Sequence, residues 1–149
     1  MFKLSNHITE DQFEHSDTAI KLKINNIMNN EQRSNAVLLC NTLLEPIITK
    51  IGTSIDSGFR CLKLNTAVGG SVNPLSQHCE GKAADILPIK MPLNIFFNKI
   101  VDLNLPFDQL ILEFSWVHIS YNGKNNRHQI FQAYHDLKGN TLYKTIKKA

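Results

Sequence analysis

The hydrophobic period of this chain changes at Gly52, and that change limits the folds open to it. Before it, Val37, Leu38, Leu44, Ile47, Ile48 and Ile51 recur at helical spacing along a segment running roughly from Gln32 to Lys50. Pro46 should kink that helix or restart its last turn, and Gly52 stops it. After it the segments are short and strand-like: "TSIDSGFR", then "DQLILEF", "WVHISYN" and "HQIFQAY". Helices first and strands later predict an α+β domain in which an antiparallel sheet is covered by helices.

The remaining pieces fit that frame. "TEDQF" has the form of a capping box, with Thr9 and Gln12 exchanging hydrogen bonds with the first turn of a helix. "SDTAIKLK" reads as a second short helix, and "CLKLNTAV" as one or two turns closed by Gly69 and Gly70. "PLNIFFNKIVDLNL" reads as a helix with Pro92 in its first turn and Phe96, Phe97, Ile100, Val101 and Leu103 on its buried face. The 149 residues, without repeats or a linker, suit one domain, 1–149. At this size about 68–70% of the unfolded surface can be buried, so no metal or disulfide is needed merely to hold a core. Cys40, Cys61 and Cys79 are odd in number and unpaired in spacing, as expected of free thiols in a reducing compartment.

Charge and hydropathy exclude several function classes. A net charge of +3 carries no dense basic stripe, which argues against nucleic acid as a partner. The closing "YKTIKKA" reads as a solvated basic tail. No run approaches the ~18 apolar residues of a membrane helix, so membrane insertion is not expected. The opening residues lack the apolar core of a secretory leader. The expectation is a protein made in the cytoplasm, monomeric by default.

The candidate chemistry lies in "SQHCEGKAADI", residues 76–86. Taken as a β-hairpin turning at Glu80-Gly81, this segment puts Ser76, His78, Ala83 and Asp85 on one face. His78 and Asp85 are then diagonal neighbours with backbones roughly 7–8 Å apart. That gap suits two side chains converging on a small object, with Ala83 leaving space and Cys79 facing away. A metal ion is such an object, since zinc takes imidazole nitrogen and carboxylate oxygen and, in catalytic sites, keeps one position open for water. A third ligand should come from another strand, where "SWVHIS" offers His118 beside Trp116 and Ser120. His7, His15, His128 and His135 are weaker choices by position. On spacing alone, an ordinary His–Asp hydrogen bond and a sheet histidine remain open readings.

The motif Ser76, His78, Gly81, Ala83, Asp85 followed by "WVHIS" resembles the zinc D-Ala-D-Ala carboxypeptidase family, which includes L-alanyl-D-glutamate endopeptidases of phage endolysins. "SGFR" with "LNTAVGGS", the opening "HITEDQFEHSDTA", and "FDQLILEF…WVHIS…NR" extend the resemblance over nearly the whole chain. It implies a hedgehog/DD-peptidase-like fold: an antiparallel sheet with helices on one side and zinc on the open face. It implies His78, Asp85 and His118 as Zn2+ ligands, peptidoglycan peptide as the partner, and Arg60 as a group binding substrate near the scissile bond. Glu113 is the candidate general base. The better-known pattern has its acid three before the last histidine, where this chain has Ser115. A tight turn at Phe114-Ser115 would bring Glu113 back to the face of His118, and Asp108 is the reserve.

The expected mechanism is metal-assisted amide hydrolysis, with the pKa of water lowered toward ~7. Glu113 moves the proton to the leaving amine, and Arg60 stabilises the oxyanion or grips a carboxylate. Ser76 and Ser120 are candidate substrate-binding residues or, equally, small polar residues of the sheet, while Trp116 is read as packing the sheet. The alternative is a catalytically inactive member that binds wall or serves as a virion part. Action on the cell wall would follow release by lysis, passage through a holin-type lesion, or carriage in a virion.

Overall fold

The computed structural model describes all 149 residues. Helix α1 (Glu10–Glu14) begins with the expected capping box: Thr9 Oγ1 accepts from Gln12 N, and Thr9 N donates to Gln12 Oε1 at 2.8 Å. Helix α2 (Asp17–Lys21) starts on Ser16. Helix α3 (Asn30–Leu39) starts two residues before Gln32, because Asn29 and Gln32 form a second capping box. A π-helical turn, Cys40–Leu44, joins it to α4 (Glu45–Lys50), where Pro46 occupies the first turn. The Pro46 ring would clash with the carbonyl one helical turn back. Widening the helix just upstream, with Glu45 N bonded to Cys40 O, accommodates it. Gly52 then turns the chain at φ 93° into β1 (Thr53–Ser57).

After α5 (Leu62–Ala67) come β2 (Ala83–Pro88), α6 (Leu93–Asp102), β3 (Gln109–Leu112), β4 (Val117–Ser120), β5 (Gln129–His135) and β6 (Thr141–Thr145). They form one six-stranded sheet in the order β1-β2-β4-β3-β5-β6. The pairings are antiparallel except β3 with β5, which run parallel, a departure from the expected uniform sheet. β6 is a second departure. Its residues fall partly within the tail read as solvated, yet they pair with β5. The turn before it is tied by Asp136, whose Oδ1 accepts from Lys138 N and Asn140 N.

Alternation along the strands sorts the two faces. Ala84, Ile86, Leu110, Leu112, Val117 and Ile119 are buried in one cluster with Leu39, Leu43, Leu44 and Ile47 of the long helix and with Phe96, Phe97 and Ile100 of α6. The opposite face carries Asp85, His118 and Ile111 in one row, since Asp85 pairs with His118 and His118 with Ile111. All three cysteines are free thiols. No helix is long and apolar enough to cross a membrane.

The expected hairpin at residues 76–86 does not form. Gln77–Glu80 makes a 3₁₀ turn, and β2 takes its partners from β1 and β4 instead. Helix α3 supplies the reason, because its side chains bind the carbonyls that a hairpin would use. Gln32 Nε2 donates to Cys79 O at 3.0 Å, and Asn35 Nδ2 to Glu80 O at 2.9 Å. Gly81 closes the turn at φ 72°, and a Cβ there would lie 2.3 Å from Gln32 O, so only glycine fits.

Candidate metal centre and cleft

His78 is buried on the 3₁₀ turn, and its ring is oriented by the backbone. Its Nδ1 lies 2.7 Å from Gly58 O, and a carbonyl only accepts, so Nδ1 carries the hydrogen and Nε2 keeps its lone pair. Nε2 points at Asp85 Oδ1, 3.3 Å away. From the other side His118 Nδ1 reaches the same oxygen at 3.0 Å, as the cross-strand pairing of Asp85 with His118 dictates. The two imidazole rings meet edge to face at 5.2 Å.

The electrostatics favour cation binding. Burial pushes the His78 pKa down and so favours the neutral, ligating imidazole. Burial alone would raise the Asp85 carboxyl, but the two histidines beside it outweigh that and hold it well below the usual carboxylate range. The three donor atoms lie within 4.8 Å of one another. Tetrahedral bonds of about 2.0–2.2 Å separate neighbouring ligands by roughly 3.3–3.5 Å, close to the spacing of this Asp85 oxygen from both imidazoles. Two nitrogens and one carboxylate are therefore a fitting donor set for a divalent metal.

The cluster opens on a cleft of about 840 Å³, lined among others by Arg60, Ser76, Glu113, Trp116 and Tyr143. Glu113 follows β3 on a tight turn, its N donating to Trp116 O at 3.0 Å. That turn removes the odd offset from His118, as expected for Phe114-Ser115. Burial raises the Glu113 pKa above the ordinary value, opposed by the nearby His118. Arg60 enters beside the cluster and also lines a second lobe of about 390 Å³ with Asp85 and Trp116. Its guanidinium donates to Ser76 Oγ at 3.1 Å, while its buried Nε has no partner. Burial lowers the Arg60 pKa, and the Asp85 charge opposes that shift. Ser76 Oγ also accepts from His78 N, so this hydroxyl ties Arg60 to the histidine turn.

Two candidates stand apart from the cleft. Ser120 is fully buried and its hydroxyl accepts from Gln109 N at 3.1 Å, which commits it to the β3–β4 pairing. Asp108 is also fully buried and bound by Arg127 and Gln77, so it has no lone pair facing the cleft to act as a reserve base. Trp116, read as sheet packing, lines both lobes. His7 pairs with Glu45 and His15 with Asp17, while His128 and His135 are exposed, and none joins the cluster. The sequence reading missed Arg127, Gln77 and Tyr143. For Tyr143 the available signal was the "DLKGN" turn followed by a β-rich "TLYKT".

No curated protein matches this chain. The Peptidase M15 family model matches residues 6–120, a span that contains Arg60, His78, Asp85, Glu113 and His118. With that match covering most of its length, the chain belongs to the Peptidase M15 family.

Proposed function

We propose that this peptidase is zinc-dependent and hydrolyses an amide bond in peptidoglycan stem peptides or cross-links. The observation that carries the reading is the convergence of His78, Asp85 and His118 on one point at the wall of a cleft that also holds Glu113 and Arg60. A divalent metal held there would supply Lewis acidity and lower the pKa of water toward ~7. Glu113, its proton affinity raised by burial, takes a proton from the attacking water and returns it to the leaving amine. Arg60 has an unpaired buried Nε, and its guanidinium is oriented by Ser76. It binds the carbonyl oxygen as charge develops, or a substrate carboxylate. Small neutral and anionic peptides suit a cleft with the Arg60 guanidinium beside the reacting centre.

Purified peptidoglycan incubated with the protein should release new amines or free D-alanine, and a chelator should abolish the release until zinc is restored. Mass spectrometry of the products identifies the bond. Release that survives chelation would remove the metal from the chemistry. Cleavage of ordinary peptides with none of peptidoglycan would remove the substrate class. With Glu113→Gln, kcat should fall by about 10²–10⁴-fold while metal content stays constant.

A further inference from the structure

Glu113 is half-buried at the start of a turn whose tip, Phe114-Ser115, is exposed, and a carboxylate that moves protons has to be held in one orientation. Two contacts hold it, and both come from the β5–β6 hairpin, beyond the residues matched to the family. Phe114 stacks on His135 with ring centroids 4.2 Å apart and planes 10° from parallel, which fixes the turn. Tyr143 Oη lies 3.4 Å from Glu113 Oε1, a long contact aimed at the carboxylate.

The register explains how a residue two strands away reaches Glu113. In the parallel pair Leu112 faces Gln132, so the next position sets Glu113 level with Ala133. Ala133 pairs with Tyr143. Glu113, Ala133 and Tyr143 thus form one row on the open face, next to the row of His118, Ile111 and Phe131. Two strand spacings amount to roughly 10 Å, a gap that a tyrosine and a glutamate span together only if the residue between them is small. Alanine is small. Burial and the Glu113 charge push the Tyr143 phenol up, so it keeps its proton and serves as donor. Catalytic hydrogen bonds are often long before substrate arrives and shorten in the complex.

We propose that Tyr143 is a positioning residue for the Glu113 carboxylate, so that the C-terminal strand completes the active site. This rests on the reading of the protein as an amide hydrolase with Glu113 as its base. The hydroxyl holds one carboxylate oxygen and leaves the other free to take the proton.

The test is Tyr143→Phe, which removes one oxygen from a half-exposed ring and leaves the strand intact, assayed beside Tyr134→Phe. Tyr143→Phe should lower kcat about tenfold, below the loss of ~10²-fold or more for removing a general base, with KM changed by less than about twofold. Its metal content should be unchanged. The acid limb of its kcat profile should move to higher pH, because the lost hydrogen bond favoured the carboxylate form. Tyr134→Phe should retain wild-type kcat. An active wild type with an equally active Tyr143→Phe overturns the positioning role alone. So does a loss confined to KM, which marks a substrate contact, or an equal loss in Tyr134→Phe. A wild type that cleaves no amide overturns this proposal together with the function it rests on.

Discussion

Two buried aspartates, Asp85 and Asp108, are handled in opposite ways by the same sheet. Asp108 is fully closed off. Its Oδ1 accepts from Arg127 N and Nε, each at 2.9 Å, while its Oδ2 accepts from the Arg127 guanidinium at 2.7 Å and Gln77 Nε2 at 2.9 Å. A permanent cation and fixed donors leave it nothing further to bind. Asp85 meets only two imidazoles, His118 Nδ1 at 3.0 Å and His78 Nε2 at 3.3 Å, groups that can offer lone pairs as readily as protons. The nearby Arg60 turns its guanidinium to Ser76 instead. A buried carboxylate answered by arginine is a strut. One answered by imidazoles, the His78 ring oriented from behind by Gly58 O, is left able to bind a cation. The two are coupled, because Gln77, held by the strut, directly precedes His78.

The largest expected effect separates them directly. Outer-shell partners of a metal ligand are worth about 10–100-fold in metal affinity. Asp85→Asn removes a proposed ligand itself and should therefore cost more than about 100-fold, with loss of amide hydrolysis. Asp108→Asn should hold zinc within about tenfold of wild type. Competition against a chromophoric chelator measures both, and equal affinities in the two variants would break the distinction.

The sequence made one of these roles readable and hid the other. His78, Asp85 and His118 stand in a recognisable motif, and the turn that rescues Glu113 could be inferred from an odd offset. The hairpin inferred for residues 76–86 was wrong, although the convergence drawn from it is what the structure shows. His78 reaches Asp85 from a 3₁₀ turn, because Gln32 and Asn35, more than forty residues away, hold the turn carbonyls. Local periodicity carries no trace of such partners. Asp108 was read as the reserve base because its partner, Arg127, lies 19 positions further on. Tyr143 was hidden by composition, since the lysines around it made a paired strand look like a solvated tail. Segments that bury an amphipathic face were legible. Contacts made by one polar side chain across long sequence separation were not.

A smaller effect probes the strut through stability. Arg127→Ala leaves the Asp108 carboxylate buried with only Gln77 and a backbone N–H, which should cost about 3 kcal/mol in urea unfolding. Chiefly through its Arg127 side-chain hydrogen bonds, the folded Asp108 carboxyl is held down at about 2, against an ordinary 3.8. A depressed folded pKa stabilises above the unfolded value and is lost as pH falls through the folded one. The wild-type urea midpoint should therefore drop between about pH 4 and pH 2. Arg127→Ala should lower the midpoint at neutral pH and flatten that part of its acid dependence. A variant with the wild-type profile would show that the fork adds nothing to the fold.

The smallest effect concerns a residue that the sequence offered equally to the substrate and to the sheet, and that the structure assigns to the sheet. Ser120 shares the strand of His118, but its side chain is fully buried and its hydroxyl accepts from Gln109 N at the start of β3. Ser120→Ala leaves that amide without its partner and should cost about 1 kcal/mol of stability. KM for a cleaved peptide should not change, because no substrate atom reaches a side chain with no exposed surface. Ser76→Ala is the matched control. Its hydroxyl lines the cleft and orients Arg60, so its loss should appear in the kinetics more than in the unfolding curve. If Ser120→Ala raised KM while leaving the urea midpoint in place, the buried hydroxyl would have to be reached by a rearranged β4, and the sheet face could no longer be treated as a fixed platform for the site.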